Sequence, residues 1–197
     1  REFIPTQLKA SKGADGKMRL HGAASSTVRD LHGDTMLESA LEDMERAANN
    51  NLTIFGNHSY TVPDDVFGSV EKAVLKSAGT VDEAGNPIYD LMFDILINEE
   101  EERAVKTWRA IDKGTKLGLS RGAMIPDGGA TRDKKSGAYT IAHVDLLETS
   151  IVGIPAGCVP FGKSGGGLPL SVQVIAPAFE DRLVLDLLAA LENQTQP

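Results

Sequence analysis

The sequence predicts an α+β fold, a mainly antiparallel β-barrel with about three surrounding helices. Three observations support this class: strand-like segments dominate, the links between them are hairpin-like, and the alternating strand-helix-strand rhythm of a doubly wound sheet is absent. Counting along the 197 residues gives about seven strands and three helices. A chain of this length can bury the core of one domain, with or without an appendage.

The first part of the chain is predicted to form two strands with a helix between them. The strands fall at 17–25 and 52–55. Apolar residues recur at helical spacing over 36–49 and define one buried face. Thr35 and Glu38 have the spacing of a capping box, so the helix is expected to begin directly after Thr35.

Two further strands follow, joined by a turn. The segments 67–76 and 88–97 are predicted as strands, and the polar residues 82–87 between them as a hairpin loop. In the second strand apolar side chains occupy every other position, while Asp90 and Asp94 fall on the opposite side. This alternation is typical of a strand with one face in the core.

A helix and a second hairpin complete the predicted main domain. The helix spans 99–113, with Asn98 as its N-cap and glutamates in its first turn, where the helix dipole favours negative charge. Strands at 116–125 and 138–152 follow, and the polar connection between them allows them to pair as a hairpin.

The composition of the chain changes near residue 156. Residues 163–167 resemble a glycine-rich linker, 170–175 has the character of a strand, and 178–191 has a helical pattern. We therefore expect a main domain at 1–156 and an appended tail, a strand plus a helix, at 157–197.

Charge and hydropathy exclude two kinds of partner. Asp and Glu outnumber Lys and Arg by 28 to 20, so the formal charge is −8 and no broad basic surface is available for nucleic acid. No run of about 18 apolar residues exists, and the N-terminus lacks the apolar core of a signal peptide. We therefore expect neither nucleic acid nor a membrane as a partner.

Cysteine and histidine are too sparse to predict a metal site. Cys158 is the single cysteine, so it can neither form an internal disulfide nor complete a cysteine-rich zinc site with the four scattered histidines. Two of these, His21 and His32, lie in polar surroundings without an obvious partner and are interpreted as surface or capping residues. No metal and no cofactor is predicted.

Ser120 is the candidate nucleophile. It lies in a predicted strand with Gly118 and Gly122 two residues away on either side, where the backbone allows close approach of another chain. The alternative interpretation is a small structural hydroxyl within the strand. As a nucleophile, Ser120 needs a general base, because a serine hydroxyl reacts poorly at neutral pH.

His58 is the candidate base and Glu148 its partner. His58 follows a strand end, from which an imidazole can reach a neighbouring strand; a structural histidine is the alternative. Strand parity places Glu148 on the more apolar face of 138–152 together with Leu146, and a carboxylate there needs a partner such as an imidazolium. His143 is the alternative third member, and its opposite parity disfavours it unless the strand has a bulge between the two positions.

These segments, in this order and spacing, resemble the caudoviral prohead proteases, the phage relatives of herpesvirus assemblin. The likeness runs from about residue 20 to residue 156. Its motifs are G-A-A-S at 22–25, N-H at 57–58, G-L-S-R-G at 118–122 and E-T-S-I-V-G-I-P-A at 148–156.

The resemblance implies an assemblin-like barrel and a serine endopeptidase. In that family pattern Ser120 is the nucleophile, His58 the general base and Glu148 the residue that orients the histidine. Arg121 and Gly122 are candidates for the backbone donors of an oxyanion hole. Herpesvirus assemblins use a second histidine as third member, which keeps His143 as an alternative.

The resemblance also implies the substrates and the place of action. Prohead proteases cleave the scaffold protein, or the scaffolding segment of the major capsid protein, and themselves. They act inside the immature phage capsid, in the host cytoplasm. Assemblin relatives commonly dimerise, so a homodimer is implied. The alternative function on the same fold is a catalytically inert capsid-assembly or scaffold-binding protein.

The end of the chain resembles a different family. Residues 152–192, with G-I-P-A-G-C-V-P-F-G and G-L-P-L-S-V-Q-V-I-A-P, are similar to the C-terminal segment of amidase-signature hydrolases. Those enzymes use a Ser-Ser-Lys triad in a long Gly/Ser-rich core, which the short segment 163–167 cannot supply. An amidase fragment is therefore the disfavoured interpretation. A fusion, a recombination or an engineered chimera joined near 151–156 would explain the two resemblances.

Overall fold

The computed structural model describes most of the chain, with the segments 156–163 and 169–175 described by their backbone alone. The described residues are 7–30, 33–59, 62–153, 156–163, 169–175 and 187–191. Contacts between Cα atoms divide the chain into two compact units, residues 1–152 and residues 153–197.

The largest element of the first unit is a seven-stranded sheet. Its strands, given in chain order, are β1 (Lys9–Lys12), β2 (Met18–Ser26), β4 (Thr53–Gly56), β5 (Val66–Val81), β6 (Pro87–Ile97), β7 (Gly118–Met124) and β10 (Asp145–Val152). The spatial order is β1-β2-β6-β5-β4-β10-β7. Every neighbouring pair is antiparallel except β4 and β10, which run parallel.

Two α-helices and a small second sheet accompany this sheet. The helices are α1 (Glu38–Ala48) and α2 (Glu102–Asp112), and a 3-10 turn covers Pro63–Asp65. The small sheet has the order β3-β9-β8, from strands β3 (Thr35–Met36), β8 (Ala130–Arg132) and β9 (Tyr139–Ile141).

The predicted α+β class is confirmed, whereas a closed barrel is not formed. The large sheet curls into a half-barrel. Its edges approach each other where the backbone N–H of Leu8 donates to the carbonyl of Leu117 at 3.0 Å. Further along, the Arg121 guanidinium lies between β7 and β2, donating to the Ala24 carbonyl at 3.5 Å and lying 2.9 Å from the sulfur of Met36. One backbone bond and the Arg121 side chain thus stand where a closed barrel would have a backbone ladder.

The core contains side chains of the sheet and of both helices, including Trp108 and Ile111 of α2. Leu41 and Met44 of α1 and Phe93 and Ile95 of β6 are almost completely buried in one apolar cluster. Burying each such side chain stabilises the fold by about 1.5–3 kcal/mol. The predicted alternation at 88–97 is therefore confirmed: the apolar side chains face this cluster.

Both predicted helix caps are wrong. The helix α1 begins at Glu38, with Leu37 at its N-cap position and no side-chain cap, because Thr35 pairs with β9 as part of β3. The helix α2 begins at Glu102, and its N-cap is Glu101, whose carboxylate accepts from the backbone N–H of Arg103 at 2.9 Å. Tertiary pairing and a local carboxylate replace the caps that sequence spacing predicted.

The predicted strand at 138–152 is two strands, β9 and β10. As predicted, β10 pairs antiparallel with the strand at 116–125, here β7. A register shift lies between Leu146, which is opposite Ala123, and Glu148, which is opposite Gly122. Because these partners are adjacent on β7, the bulge at Leu147 places Leu146 and Glu148 on opposite faces. The parity argument that grouped them on one face is therefore wrong.

The second unit contains a β-hairpin and a helical segment. Strands β11 (Ala156–Lys163) and β12 (Pro169–Ile175) pair antiparallel, and residues 187–191 are helical. The predicted strand at 170–175 is confirmed as β12. Most of the predicted linker at 163–167 and of the predicted helix at 178–191 lies outside the described residues.

Candidate active site

His58 lies in a strained turn at the end of β4. The backbone N–H of Ser59 donates to the Gly56 carbonyl at 3.0 Å, and Asn57 and His58 have φ of 54° and 55°. Positive φ at both central positions is the pattern of a type I′ turn, which usually has glycine at the second of them. A non-glycine residue in this conformation costs roughly 1–2 kcal/mol. Strain of this kind commonly accompanies function.

Two anchors hold this turn in place. The backbone N–H of Asn57 donates to the Ile151 carbonyl on β10 at 2.9 Å. On the other side, the Ser59 hydroxyl donates to Oδ2 of the buried Asp65 at 2.7 Å, while Arg103 of α2 lies 3.2 Å from Oδ1. The turn is therefore tied both to the sheet and to a helix, which compensates for its backbone strain.

His58 and Glu148 form a hydrogen-bonded pair. Nδ1 of His58 lies 2.8 Å from Oε1 of Glu148, and their side chains are only 17% and 13% exposed. An ionised carboxylate can only accept, so the proton of a neutral His58 belongs on Nδ1 and the lone pair on Nε2. The basic nitrogen of His58, Nε2, thus points away from the Glu148 carboxylate.

Two serines complete this neighbourhood. The Ser150 hydroxyl donates to Oε2 of Glu148 at 2.8 Å and is completely buried. Ser120 on β7 lies directly opposite Ser150 on β10, and its side chain is half-buried. Cβ atoms of such cross-strand partners are about 4.5–5.5 Å apart. Among the described residues, no hydrogen bond joins the Ser120 hydroxyl to His58.

His143 lies elsewhere in the structure. Its Nδ1 is 2.9 Å from Oδ2 of Asp43 on α1, and its side chain is 58% exposed. It lines a surface cavity of about 580 Å³ together with Arg46 and Leu146. The structure therefore pairs His58 with Glu148 and His143 with Asp43.

The two oxyanion candidates follow Ser120 on the edge strand β7. Arg121 lies opposite Thr149, and its guanidinium points toward Ala24 and Met36. Gly122 lies opposite Glu148, and a Cβ atom added to it would lie 2.7 Å from Oε1 of that carboxylate. The Glu148 carboxylate thus fits in this position because residue 122 is a glycine.

A second serine-histidine-carboxylate set lies on strands β1, β2 and β6. Ser11 Oγ is 2.7 Å from Nε2 of His21, and Nδ1 of His21 is 2.7 Å from Oδ1 of Asp94. His21, interpreted as a surface or capping residue without an obvious partner, thus has two partners, although its side chain is 39% exposed. His32 lies outside the described residues. The His21 and Asp94 side chains are 39% and 45% exposed, so water screens this set far more than the His58–Glu148 pair.

Sequence reasoning missed Ser150 and Asp65. Ser150 had a signal, since residues i and i+2 of a strand share a face and Glu148 was already a candidate. Asp65 had none, because its partners Ser59 and Arg103 come together only in the folded chain.

The described residues contain neither a membrane-spanning helix nor a metal cluster. None of their helices is long and apolar enough to cross a bilayer. Nowhere among them do three or more His, Cys, Asp or Glu side chains come together as ligands of one ion.

Similarity to known proteins is limited to a short stretch. No protein-family model and no solved structure matches the chain. The A subunit of glutamyl-tRNA(Gln) amidotransferase from Bdellovibrio bacteriovorus is 43% identical over 56 residues, 28% of this chain and 11% of that protein. Its counterpart of the same name from Deinococcus deserti is 40% identical over 60 residues, 28% of this chain and 12% of that protein.

These matches agree with the amidase-like resemblance at the end of the chain. The chain spans only about a tenth of the length of the curated relatives it matches. Neither relative is a protease by name, so the resemblance to prohead proteases stays a prediction.

Proposed function

We propose that this chain is a serine endopeptidase of phage capsid maturation. Ser120 is its nucleophile, His58 its general base and Glu148 the carboxylate that orients His58. The observation that carries the proposal is the partly buried His58–Glu148 pair, 2.8 Å apart, beside the strand that bears Ser120. A histidine oriented by a mostly buried carboxylate is what a serine nucleophile needs as its base, and the strained turn that holds His58 supports a functional role.

The proposed chemistry is acyl transfer through the serine. Ser120 Oγ attacks the carbonyl carbon of the scissile peptide, and its proton moves to Nε2 of His58. The C–N bond then breaks, and His58 returns the proton to the leaving amine. Water attacks the resulting ester by the same route in reverse, which releases the acid and restores Ser120.

The environment of the pair supports this role for His58. Nδ1–H of His58 donates to Glu148, so the imidazolium that forms after proton transfer faces a negative charge. Because both side chains are mostly buried, this attraction is screened less than it would be in water. Successive N–H groups of a strand point to opposite sides, so one of Arg121 and Gly122 directs its amide away from β10 and is the proposed oxyanion donor.

The family resemblance supplies the proposed substrates and setting. The substrates are the scaffold protein or the scaffolding segment of the major capsid protein, together with the protease itself, inside the immature capsid. A homodimer is the proposed assembly. The partial similarity to the two amidotransferases supports only the coarser class, a hydrolase.

A second candidate is a catalytically inert capsid-assembly or scaffold-binding protein. The observation in its favour is that, within the described part of the chain, Ser120 makes no hydrogen bond to His58. Catalytic hydrogen bonds often form only when substrate is bound, so the two functions are separated by reactivity.

Labelling with a fluorophosphonate tests the proposed function. We expect one adduct on the full chain, because Ser120 Oγ displaces fluoride from phosphorus and its proton moves to His58. Ser120→Ala and His58→Gly are both expected to lose the adduct. Glycine is the better replacement at position 58, since it suits the positive φ and removes the imidazole without straining the turn. Intact-mass spectrometry measures the adduct.

The matched control is Ser11→Ala, which removes the serine of the exposed set. It is expected to keep the adduct, because the His21–Asp94 pair is solvated. An adduct that disappears in Ser11→Ala and persists in Ser120→Ala contradicts the proposed site. If no adduct forms at any protein concentration that allows dimers, the endopeptidase proposal fails and the inert scaffold-binding protein takes its place.

Gly122→Ala tests whether Glu148 must stay in position. The added methyl group would lie 2.7 Å from Oε1 of Glu148, so the carboxylate oxygen that pairs with His58 must shift. We expect the acylation rate of Ser120 to fall by about 100-fold, because displacements of about 1 Å in a catalytic site lower rates by this amount. The melting temperature should change little, because only the end of a side chain moves.

Ala123→Ser is the control for Gly122→Ala. Ala123 is the next residue of β7, is exposed and faces the other side of the strand. It should label at the wild-type rate. Equal labelling rates in Gly122→Ala and Ala123→Ser would show that the position of the Glu148 carboxylate does not matter.

A further inference from the structure

We propose that Ser150 is a positioning residue that holds the Glu148 carboxylate in the orientation His58 requires. This inference rests on the proposed function, in which Glu148 orients the base. It assigns a role to a buried serine that neither the family motif nor the comparisons with known proteins assign.

The geometry shows a carboxylate held at both oxygens. Oε1 of Glu148 accepts from His58 at 2.8 Å, and Oε2 accepts from the Ser150 hydroxyl at 2.8 Å. Glu148 and Ser150 are two residues apart on β10 and share a face of the strand. Ser150 is completely buried, so water does not compete for its hydroxyl.

Orientation matters because the last torsion of a glutamate is soft. The carboxylate plane rotates in a broad, roughly two-fold well, so one hydrogen bond to His58 does not hold it. The second bond, from Ser150, keeps Oε1 directed at Nδ1. A carboxylate that turns away no longer favours the tautomer with the proton on Nδ1, and the lone pair on Nε2 is then lost as a base.

Burial argues against Ser150 as the nucleophile itself. Its hydroxyl has no exposed surface and already donates to Glu148. Ser120, directly opposite on β7, is half-buried and therefore open to a substrate. The two serines of this cross-strand pair thus have different roles, Ser120 in bond formation and Ser150 in orientation.

The neighbouring residue supplies a matched control. Thr149 is also completely buried, but on the opposite face of β10 its hydroxyl oxygen has no hydrogen-bond partner among the described residues. Thr149→Val therefore removes a buried hydroxyl from the same strand without touching Glu148. Ser150→Ala removes the hydroxyl that does touch it.

The test combines the acylation rate with nitrogen NMR of the histidine rings in the full chain. In Ser150→Ala we expect the acylation rate of Ser120 to fall by roughly tenfold to a hundredfold. We also expect the His58 ring to change from the Nδ1–H tautomer to a mixture, with His58→Gly identifying its signals. The His21 signals should stay unchanged, and Thr149→Val should match the wild type in both measurements.

The outcomes separate this inference from the proposed function. A wild-type chain that never labels overturns the endopeptidase, and the tautomer of His58 in Ser150→Ala then decides the role of Ser150. A labelled wild type together with wild-type rate and ring signals in Ser150→Ala overturns the positioning role alone. Equal changes in Ser150→Ala and Thr149→Val would also overturn it, because they would reflect a general loss of packing in β10.

Discussion

Glu148→Gln is expected to slow acylation of Ser120 by about 10³- to 10⁴-fold while the fold stays intact. Glutamine has the shape of glutamate, and its amide can still accept from His58 through oxygen while its NH₂ donates to the Ser150 oxygen. The negative charge is lost, so the imidazolium that forms during proton transfer is no longer stabilised. If the amide turns the other way, its NH₂ faces Nδ1 and favours the wrong tautomer of His58.

Stopped-flow labelling with the fluorophosphonate, together with thermal melting, measures this effect. The control is Asp94→Asn, the equivalent change in the exposed Ser11–His21–Asp94 set, which should leave the labelling rate unchanged. A Glu148→Gln chain that labels within threefold of the wild type, at an unchanged melting temperature, would remove Glu148 from the proposed mechanism.

Gly68→Ala is expected to be among the most destabilising single substitutions in the main sheet. Gly68 lies on β5 between Ile54 of β4 and Ile97 of β6, and an added Cβ would overlap the carbonyl oxygen of Leu96. That oxygen belongs to the backbone and cannot rotate away, so two strands must separate. Overpacking typically costs 1–3 kcal/mol, and we expect about 3 kcal/mol here because backbone is displaced.

Gly22→Ala is the matched control for Gly68→Ala. Gly22 also lies in the sheet, on β2, but its added Cβ would meet the flexible end of the Leu8 side chain at 2.8 Å. That side chain can move, so we expect a loss below about 1 kcal/mol. Urea unfolding of both variants gives the comparison. If the two free energies of unfolding are equal, the close approach of the Leu96 carbonyl does not determine the stability of the sheet.

The two serine-histidine-carboxylate sets differ in hydrogen bonding, burial and backbone strain. The exposed set, Ser11–His21–Asp94, has both of the expected hydrogen bonds, at 2.7 Å each. The proposed site has the more buried pair and the strained turn at His58, but its serine is not bonded to the histidine. Burial and strain favour Ser120, His58 and Glu148, because they are the features that raise the reactivity of such groups.

The sequence by itself determined the elements whose signal is local. Alternating apolar residues at 88–97 predicted β6 and its buried face, and helical spacing predicted α1 and α2 to within a few residues. The pairing of β7 with β10 followed from their order and the polar loop between them. These predictions hold because side-chain periodicity depends only on the backbone repeat.

Only the tertiary structure decided how the candidate site is arranged. The bulge at Leu147 sets the face of Glu148, and partners on β10 and in the Asp65 loop hold His58 at positive φ. The bond from Ser150 to Glu148 and the approach of the two sheet edges at Leu8 and Leu117 also arise from contacts between distant segments. Such contacts depend on the register and packing between strands. The register of a strand pair cannot be predicted from the sequence of one strand alone.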